Sequence, residues 1–187
     1  MTTAAVILAA GAGRRMGAPK ALLPLEGETL LQRASRHALD AGCRPVLTVV
    51  GDWDPGLGGL AVHAVPNPDA AEGVASSIRA GVLALPTGTQ AVLLLTVDQP
   101  AVDATLLRRL LELFGHDPER PAACAYADTL GIPAIFPRRL FQDLRALQGD
   151  RGAKAILLRE QAAALPFPEG VLDLDRPEDL FRRGVPA

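Results

Sequence analysis

Three glycines and three cations crowd one short stretch near the start of the chain. Beyond the apolar run 4–8, Gly11, Gly13 and Gly17 are interspersed with Arg14, Arg15 and Lys20, and almost nothing between them is bulky. Small residues let a ligand approach the backbone closely. Glycine also reaches the positive φ angles that turn successive N–H groups inward. With cations beside them, such groups form a cradle for a polyphosphate. The plainer alternative is a strand-to-loop turn with solvated arginines. Two common phosphate loops do not fit. The dinucleotide fingerprint requires glycine at position 16, which is Met16, and the Walker pattern requires Lys directly after glycine, whereas Ala18 follows Gly17.

A second feature is Asp98, which closes the most apolar run, 91–97, and precedes Gln99 and Pro100. A carboxylate at the mouth of a buried strand suits Mg²⁺, which takes one or two carboxylates together with substrate phosphates. The alternative is a turn aspartate bonding its own backbone. In the stretch 67–81, Ser76, Ser77 and the free N–H groups of a helix start can bond a base edge or a ribose. Equally, those serines can serve only to satisfy the N–H groups of a capped surface helix. His37, His63 and His116 share no metal-ligand spacing, and Asp52-Trp53-Asp54 reads as a solvated loop.

These residues need elements to position them. Apolar runs at 4–9, 46–50, 61–65, 91–97, 122–126, 134–136 and 171–174 read as strands. Between them, 30–41 is a helix with Thr29 and Gln32 in capping-box positions and Gly42 as its stop. Helical spacing also marks 76–85, 104–114 (with Asp103 able to cap) and 153–164. Strands alternating with helices predict an α/β fold whose sheet is mainly parallel, in one domain spanning 1–187. Ligands of such sheets sit beyond the carboxyl ends of the strands, which is where the first loop falls.

Composition narrows the function classes. Hydrophobic residues make up 49% of the chain and aromatics only 4%, so Leu, Val, Ile and Ala build the core. A net charge of −2 and the lack of a basic stripe argue against nucleic acid as a partner. No apolar stretch approaches the roughly 18–20 residues of a membrane span. The first residues lack the basic start of a signal peptide, so the expected location is the cytoplasm. Cys43 and Cys124 fit no metal or redox spacing and read as small buried residues. Of 19 basic side chains only two are lysines, Lys20 and Lys154, both in glycine-bearing segments. Lysine meets a phosphate as a compact point charge.

The segment Val6-Ile-Leu-Ala-Ala-Gly-Ala-Gly-Arg-Arg-Met-Gly-Ala-Pro-Lys20-Ala-Leu-Leu-Pro24 resembles the opening signature of the nucleotidyltransferases that use NTPs, L-A-A-G-x-x-x-R-M-G-x-x-K-x-L-L-P. Within them it is most similar to the MobA-like and MocA-like enzymes. The resemblance implies a Rossmann-like three-layer α/β/α domain. It assigns Leu8, Ala9, Ala10, Gly11, Ala12, Gly13, Arg14, Arg15 and Lys20 to the nucleotide, with Arg15 and Lys20 catalytic. The stretch Asn67-Pro-Asp-Ala-Ala-Glu-Gly73-Val-Ala-Ser-Ser77-Ile-Arg-Ala-Gly81 resembles the family's nucleotide-pocket segment, which adds Asn67, Gly73, Ser76 and Ser77. Val97-Asp98-Gln99-Pro100 resembles the D-x-P segment whose aspartate binds the metal, which implies that Asp98 is catalytic and a metal ligand. The run 171–180 resembles a late D-x-D-T-P-E-D segment, which implies Asp175 as a second metal ligand and leaves Asp173 less defined. Here Arg176 replaces the usual Thr, and Asp175 reads alternatively as the cap of a following helix. Gly131-Ile-Pro133 and Gly149-Asp150-Arg-Gly-Ala-Lys154 resemble acceptor-side segments, with Lys154 where Arg is usual. The matching segments span 4–181.

The implied reaction is Mg²⁺-dependent transfer of a nucleotide from an NTP to a phosphorylated small molecule. The acceptor is expected to be a molybdopterin cofactor, with a transient contact to a molybdoenzyme or its chaperone. Ala9-Ala10 resembles members that use CTP, so CMP transfer is the expectation. The alternatives are a guanylyltransferase using GTP and a sugar- or polyol-phosphate nucleotidyltransferase. Two other classes are a non-catalytic nucleotide-binding regulator or chaperone, and a dehydrogenase, whose fingerprint the first loop lacks.

Overall fold

The two most apolar strands lie side by side in the middle of the sheet. A computed structural model describes residues 2–11, 19–172 and 174 of the chain. In it β1 (Thr3–Leu8) pairs in parallel with β6 (Ala91–Thr96). Alternate side chains enter opposite cores: Ala5, Ile7, Leu93 and Leu95 one, Val6, Leu8, Val92 and Leu94 the other. Strands covered on both faces must be apolar throughout, as these are.

The remaining elements follow in chain order: β2 (Pro24–Leu25), β3 (Glu28–Thr29), α1 (Leu30–Asp40), β4 (Val46–Val50), β5 (Val62–Pro66) and α2 (Val74–Leu83). After β6 come α3 (Ala104–His116), β7 (Ala122–Tyr126), β8 (Thr129–Pro137), α4 (Phe141–Arg145), α5 (Lys154–Arg159) and β9 (Ala163–Pro166). Strands β2 and β3 form a small separate hairpin. The main sheet runs β5-β4-β1-β6-β8-β7-β9. Helices α1 and α3 cover one face, while α2, α4 and α5 cover the other, giving the three-layer α/β/α arrangement. The sheet is mainly parallel; only β8 runs against its two neighbours.

Local chemistry explains the boundaries. Thr29 starts α1 with a complete capping box: its hydroxyl accepts from the Gln32 N–H at 3.1 Å, and its own N–H donates to the Gln32 side chain at 2.9 Å. The helix stops at Gly42, φ +95°, where the Gly42 N–H reaches Leu39 and the Cys43 N–H reaches Ala38. That pair of bonds closes the last turn as in a Schellman motif. Thr29→Ala is expected to cost about 1 kcal/mol. In a chain of this size that lowers the melting temperature by roughly 2–4 °C; an unchanged thermal midpoint would show that the cap contributes nothing.

Two expected elements differ. The run 171–174, expected as a strand, is not one among the described residues: Pro168–Val171 forms a 3-10 turn. The Leu172 N–H bonds back to the Glu169 carbonyl at 3.1 Å and so is used inside that turn rather than in a ladder. Leu174 is nevertheless buried, and its N–H donates to the Asp98 carbonyl at 2.9 Å. The helix expected over 153–164 ends at Arg159, and Ala163–Pro166 instead pairs with β7 as an edge strand. Its alanines favour a helix, but an open strand edge with Leu165 facing the core outweighs that preference.

His37, on the buried face of α1, has no hydrogen-bond partner for either ring nitrogen. Burial, with the Arg36 and Arg33 guanidinium groups, pushes its pKa below the usual range, while Asp103 and Glu28 pull weakly the other way. The unfolded chain therefore binds a proton that the folded chain refuses. This contribution to stability is complete above pH about 6.5 and is lost as the pH falls from there toward the folded pKa. Melting temperatures at pH 7.5 and 5.5 should differ more in the parent than in His37→Leu. Equal differences would remove His37 as a source of acid sensitivity.

Candidate active site

Because β1 and β6 are parallel and in register at Leu8 and Thr96, the loops that follow them open at the same sheet edge. Leu8, Ala9 and Ala10 are buried, with side chains committed to the cores, so a ligand could meet them only through backbone. Gly11 is exposed, and among the described residues beyond its chain neighbours no atom lies within 4 Å of where a β-carbon would stand. Ala12, Gly13, Arg14 and Arg15 lie outside the described residues, as do Asp173 and Asp175. The chain returns at Pro19, and Lys20 heads a 3-10 turn anchored by buried Ala21.

Lys20 and Asp98 meet there. The ammonium lies 3.4 Å from an Asp98 carboxylate oxygen, with the two side chains 19% and 29% exposed. A partly exposed pair of this kind adds at most about 1 kcal/mol to stability. Its significance is chemical: a cation and a carboxylate meet at the mouth of adjacent central strands. Among the described residues no group of three or more His, Cys, Asp or Glu side chains gathers to hold a metal. Asp98 alone nonetheless fits an ion that keeps most of its shell for water and phosphate oxygens.

Asn67, Ser76 and Ser77 are also brought together. Asn67 follows β5, and its side-chain amide donates to Ser76 Oγ at 2.9 Å and Ser77 Oγ at 3.1 Å. Ser76 Oγ donates onward to the Gly73 carbonyl at 2.8 Å. All three side chains are buried. In this arrangement the polar atoms satisfy one another and fix the start of α2, which leaves backbone groups and exposed neighbours to face a ligand.

Segments that the sequence presents as two sites, nucleotide and acceptor, prove contiguous. Gly73 has φ +127°, and a β-carbon on it would sit 2.5 Å from the Gly149 carbonyl oxygen and 2.3 Å from an Asp150 carboxylate oxygen. The Ala75 N–H donates to the Gly149 carbonyl at 3.1 Å, and the Gly149 N–H donates to Glu72 at 3.1 Å. Arg79 grips Glu72 and also donates to the Leu147 carbonyl at 2.8 Å. The Arg79 guanidinium and the Gly149 N–H hold the Glu72 carboxyl down to about 2. Asp150 and Lys154, the latter at the first position of α5, are exposed.

Gly131 borders an irregularity in β8, and Pro133 lies within it. Opposite β7 the register jumps from Ala123–Ala134 to Cys124–Gly131, so Ile132 and Pro133 have no ladder partner. A residue without an N–H is tolerated at such a bulge. Two residues absent from the sequence-based set occupy this region. Gln99, buried next to Asp98, donates to the Tyr126 hydroxyl and to the Gly170 carbonyl. Their only sequence signals are that Tyr126 is the sole tyrosine and that Gln99 follows Asp98.

Cys43 and Cys124 are fully buried, and burial pushes both thiols up to about 12. Neither is a nucleophile at ordinary pH. Among the described residues, no helix is long and apolar enough to cross a membrane.

Comparison with known proteins places this geometry in context. The MobA-like NTP transferase domain matches residues 5–164. The molybdenum cofactor guanylyltransferase of Rhodobacter capsulatus is 31% identical, covering 97% of this chain and 95% of the relative. The nicotine blue oxidoreductase of Paenarthrobacter nicotinovorans is 36% identical over 81% of this chain and 79% of its own. The crystal structure of Rv0371c from Mycobacterium tuberculosis superposes with a TM-score of 0.79 at 28% identity, over 97% of each chain. The same protein has also been crystallised in complex with manganese.

Proposed function

The chain belongs to the MobA-like NTP transferase family, and from that premise we propose that it transfers GMP from GTP to the phosphate of a molybdopterin-type cofactor, releasing pyrophosphate. The observation that carries this reading is the meeting of Lys20 and Asp98 at the mouth of β1 and β6. The Ala9-Ala10 pair, read from sequence alone, points to CTP. The relative from Rhodobacter capsulatus, similar along nearly its whole length, is named as a guanylyltransferase, and this favours GTP.

An oxygen of the acceptor's phosphate attacks the α-phosphorus; a P–O bond forms there and the bond to the β-phosphate oxygen breaks. A phosphate monoester is largely ionised near pH 7, its second pKa being about 6. The reaction therefore needs no general base. Lys20, with Arg15, neutralises the phosphates, and Gly11, Ala12 and Gly13 offer them backbone contacts. Asp98, with Asp175, would hold Mg²⁺ or Mn²⁺. Such an ion, when bound, supplies charge neutralisation on the triphosphate. Asn67, Gly73, Ser76 and Ser77 shape the nucleoside side, and Gly131, Pro133, Asp150 and Lys154 the acceptor side. Catalysis then rests on alignment and on charge placed where the transition state develops it.

The test is thermal stabilisation by GTP and CTP with Mg²⁺, followed by pyrophosphate release in the presence of molybdenum cofactor. At about 100 times its Kd a ligand adds roughly 2.7 kcal/mol, a shift of roughly 5–10 °C here. A shift with GTP and not CTP supports the reading, while the reverse returns it to cytidylyl transfer. The relative named as an oxidoreductase favours a second reading, a redox enzyme on the same scaffold. Stabilisation by NAD(P)H and by neither NTP would select it.

A further inference from the structure

Four stretches of chain converge on one buried polar link beside Asp98. Gln99 is 7% exposed, and its amide nitrogen lies 3.3 Å from the Tyr126 hydroxyl and 3.2 Å from the Gly170 carbonyl. An amide NH₂ carries two donor hydrogens, and each has an acceptor here. The Tyr126 hydroxyl in turn donates to the Ile132 carbonyl at 2.9 Å, inside the β8 bulge. The strand-end loop is thus joined to β7, to the bulge bearing Gly131 and Pro133, and to the turn Pro168–Val171. The bond from the Leu174 N–H to the Asp98 carbonyl closes the circuit.

Tyr126 is half-buried, and the packing around it confines its ring. A β-carbon on Gly131 would come within 2.3 Å of the tyrosine oxygen, and one on Gly170 within 2.5 Å of its ring. Phe167 meets the ring edge-on, with centroids 6.3 Å apart. Two glycines and an aromatic wall form a slot that fits this ring and delivers its hydroxyl to the bulge. An apolar residue in place of Gln99 would fill the space equally well, so the donor pair is the feature that needs a reason. The Gln99 amide oxygen Oε1 is buried without a partner among the described residues, so the two donated bonds alone hold the link and carry its geometry.

We propose that Gln99 and Tyr126 are positioning residues that set the acceptor-side bulge of β8 at a fixed distance from Asp98, so that acceptor and nucleotide meet in line. The assignment rests on the reading of Asp98 as the metal-holding carboxylate and of Gly131 and Pro133 as acceptor-side. Neither Gln99 nor Tyr126 touches the reacting atoms. They act as one unit, because Tyr126 can hold the bulge relative to Asp98 only while Gln99 ties it to the loop. Misplacing a reactant by a fraction of an ångström to an ångström costs about ten- to a hundredfold in turnover.

The experiment compares Gln99→Leu, Tyr126→Phe and the double variant. Hydrogen exchange on the nucleotide-free protein follows 129–133 and 168–174. Pyrophosphate release from GTP with molybdenum cofactor gives kcat and the KM for each substrate. Each single variant should speed exchange in both segments by up to about tenfold. Each should lower kcat or raise the acceptor KM by about ten- to a hundredfold, with the KM for GTP changed less than about twofold. The double variant should match the singles rather than multiply them. The proposal is overturned if each variant loosens only its own segment, if the kinetic losses multiply, or if only the melting temperature changes. If the parent itself releases no pyrophosphate, the transferase reading fails instead. The exchange data then still decide whether the coupling exists: concerted loosening supports it and independent loosening overturns it.

Discussion

Asp98→Asn is expected to lower nucleotidyl transfer by roughly a hundred- to a thousandfold, the scale of losing one preorganised charge-stabilising group, while the melting temperature moves by less than about 3 °C. The two halves of this expectation have different causes. Stability is spared because Asp98 is partly exposed, its ammonium partner is 3.4 Å away, and such a pair contributes little to folding. Asparagine also keeps the size of the side chain. Turnover is not spared, because an amide cannot serve as an anionic oxygen ligand beside the triphosphate. Lys20→Ala should lower kcat more than it weakens GTP binding if its contact strengthens in the transition state; equal losses would make it a ground-state contact. Because the two groups touch, combining both changes should cost less than the product of the single effects. The measurement is pyrophosphate release with GTP and molybdenum cofactor, alongside a thermal melt. An Asp98→Asn variant that keeps more than about a tenth of the parent's turnover would remove Asp98 from the metal role.

Gly73→Ala should be the most damaging change to the fold among the glycines of the site. Its backbone, at φ +127°, occupies a region that L side chains avoid. The added methyl would lie 2.5 Å from the Gly149 oxygen and 2.6 Å from the Gly149 carbonyl carbon. Those are main-chain atoms, and the Ala75 N–H pins them from the other side. Backbone strain of about 1–3 kcal/mol and overpacking of about 1–3 kcal/mol together give a loss of roughly 2–6 kcal/mol. That corresponds to roughly 5–20 °C in melting temperature. Gly115→Ala is the control, since among the described residues no atom outside its own helix backbone and chain neighbours lies within 4 Å of its β-carbon position, and the residue is in the last turn of α3. There alanine should stabilise by about 0.5–1 kcal/mol. If the Gly73 variant melts within about 2 °C of the parent, the contact between the two glycine-bearing segments is not the constraint proposed here.

The sequence makes the central architecture readable because the signals there are local. Strand β1, strand β4 and β6 are runs whose apolarity alone requires burial on both faces, and Thr29 with Gln32 announces α1 within four residues. Legibility falls where pairing decides. The turn joining β7 to β8 is Ala127-Asp128, both at positive φ, and alanine gives no hint of it. Ala163–Pro166 looks helical by composition, and only the open edge of β7 makes it a strand. The site divides in the same way. Lys20 and Asp98 carry their chemistry in their own residue types, so spacing and strand ends suffice to nominate them. Gln99 and Tyr126 are 27 residues apart, and nothing short of the folded sheet brings an amide to that hydroxyl. The adjacency of Gly73 to Gly149 is hidden in the same way, since it follows from how the loop after α4 crosses the start of α2.

The two buried thiols give the protein an internal record of its own opening. Both belong to the same apolar cluster, yet Cys43 sits between α1 and β4 while Cys124 belongs to β7, on opposite flanks of the central strand pair. With each thiol pushed up to about 12, roughly one in ten thousand is a thiolate at pH 8. An alkylating reagent must therefore wait for the core to part. Equal labelling rates at the two positions would mean that the sheet opens as a whole. Faster labelling at either one would show which flank separates first, and how far its opening falls short of complete unfolding.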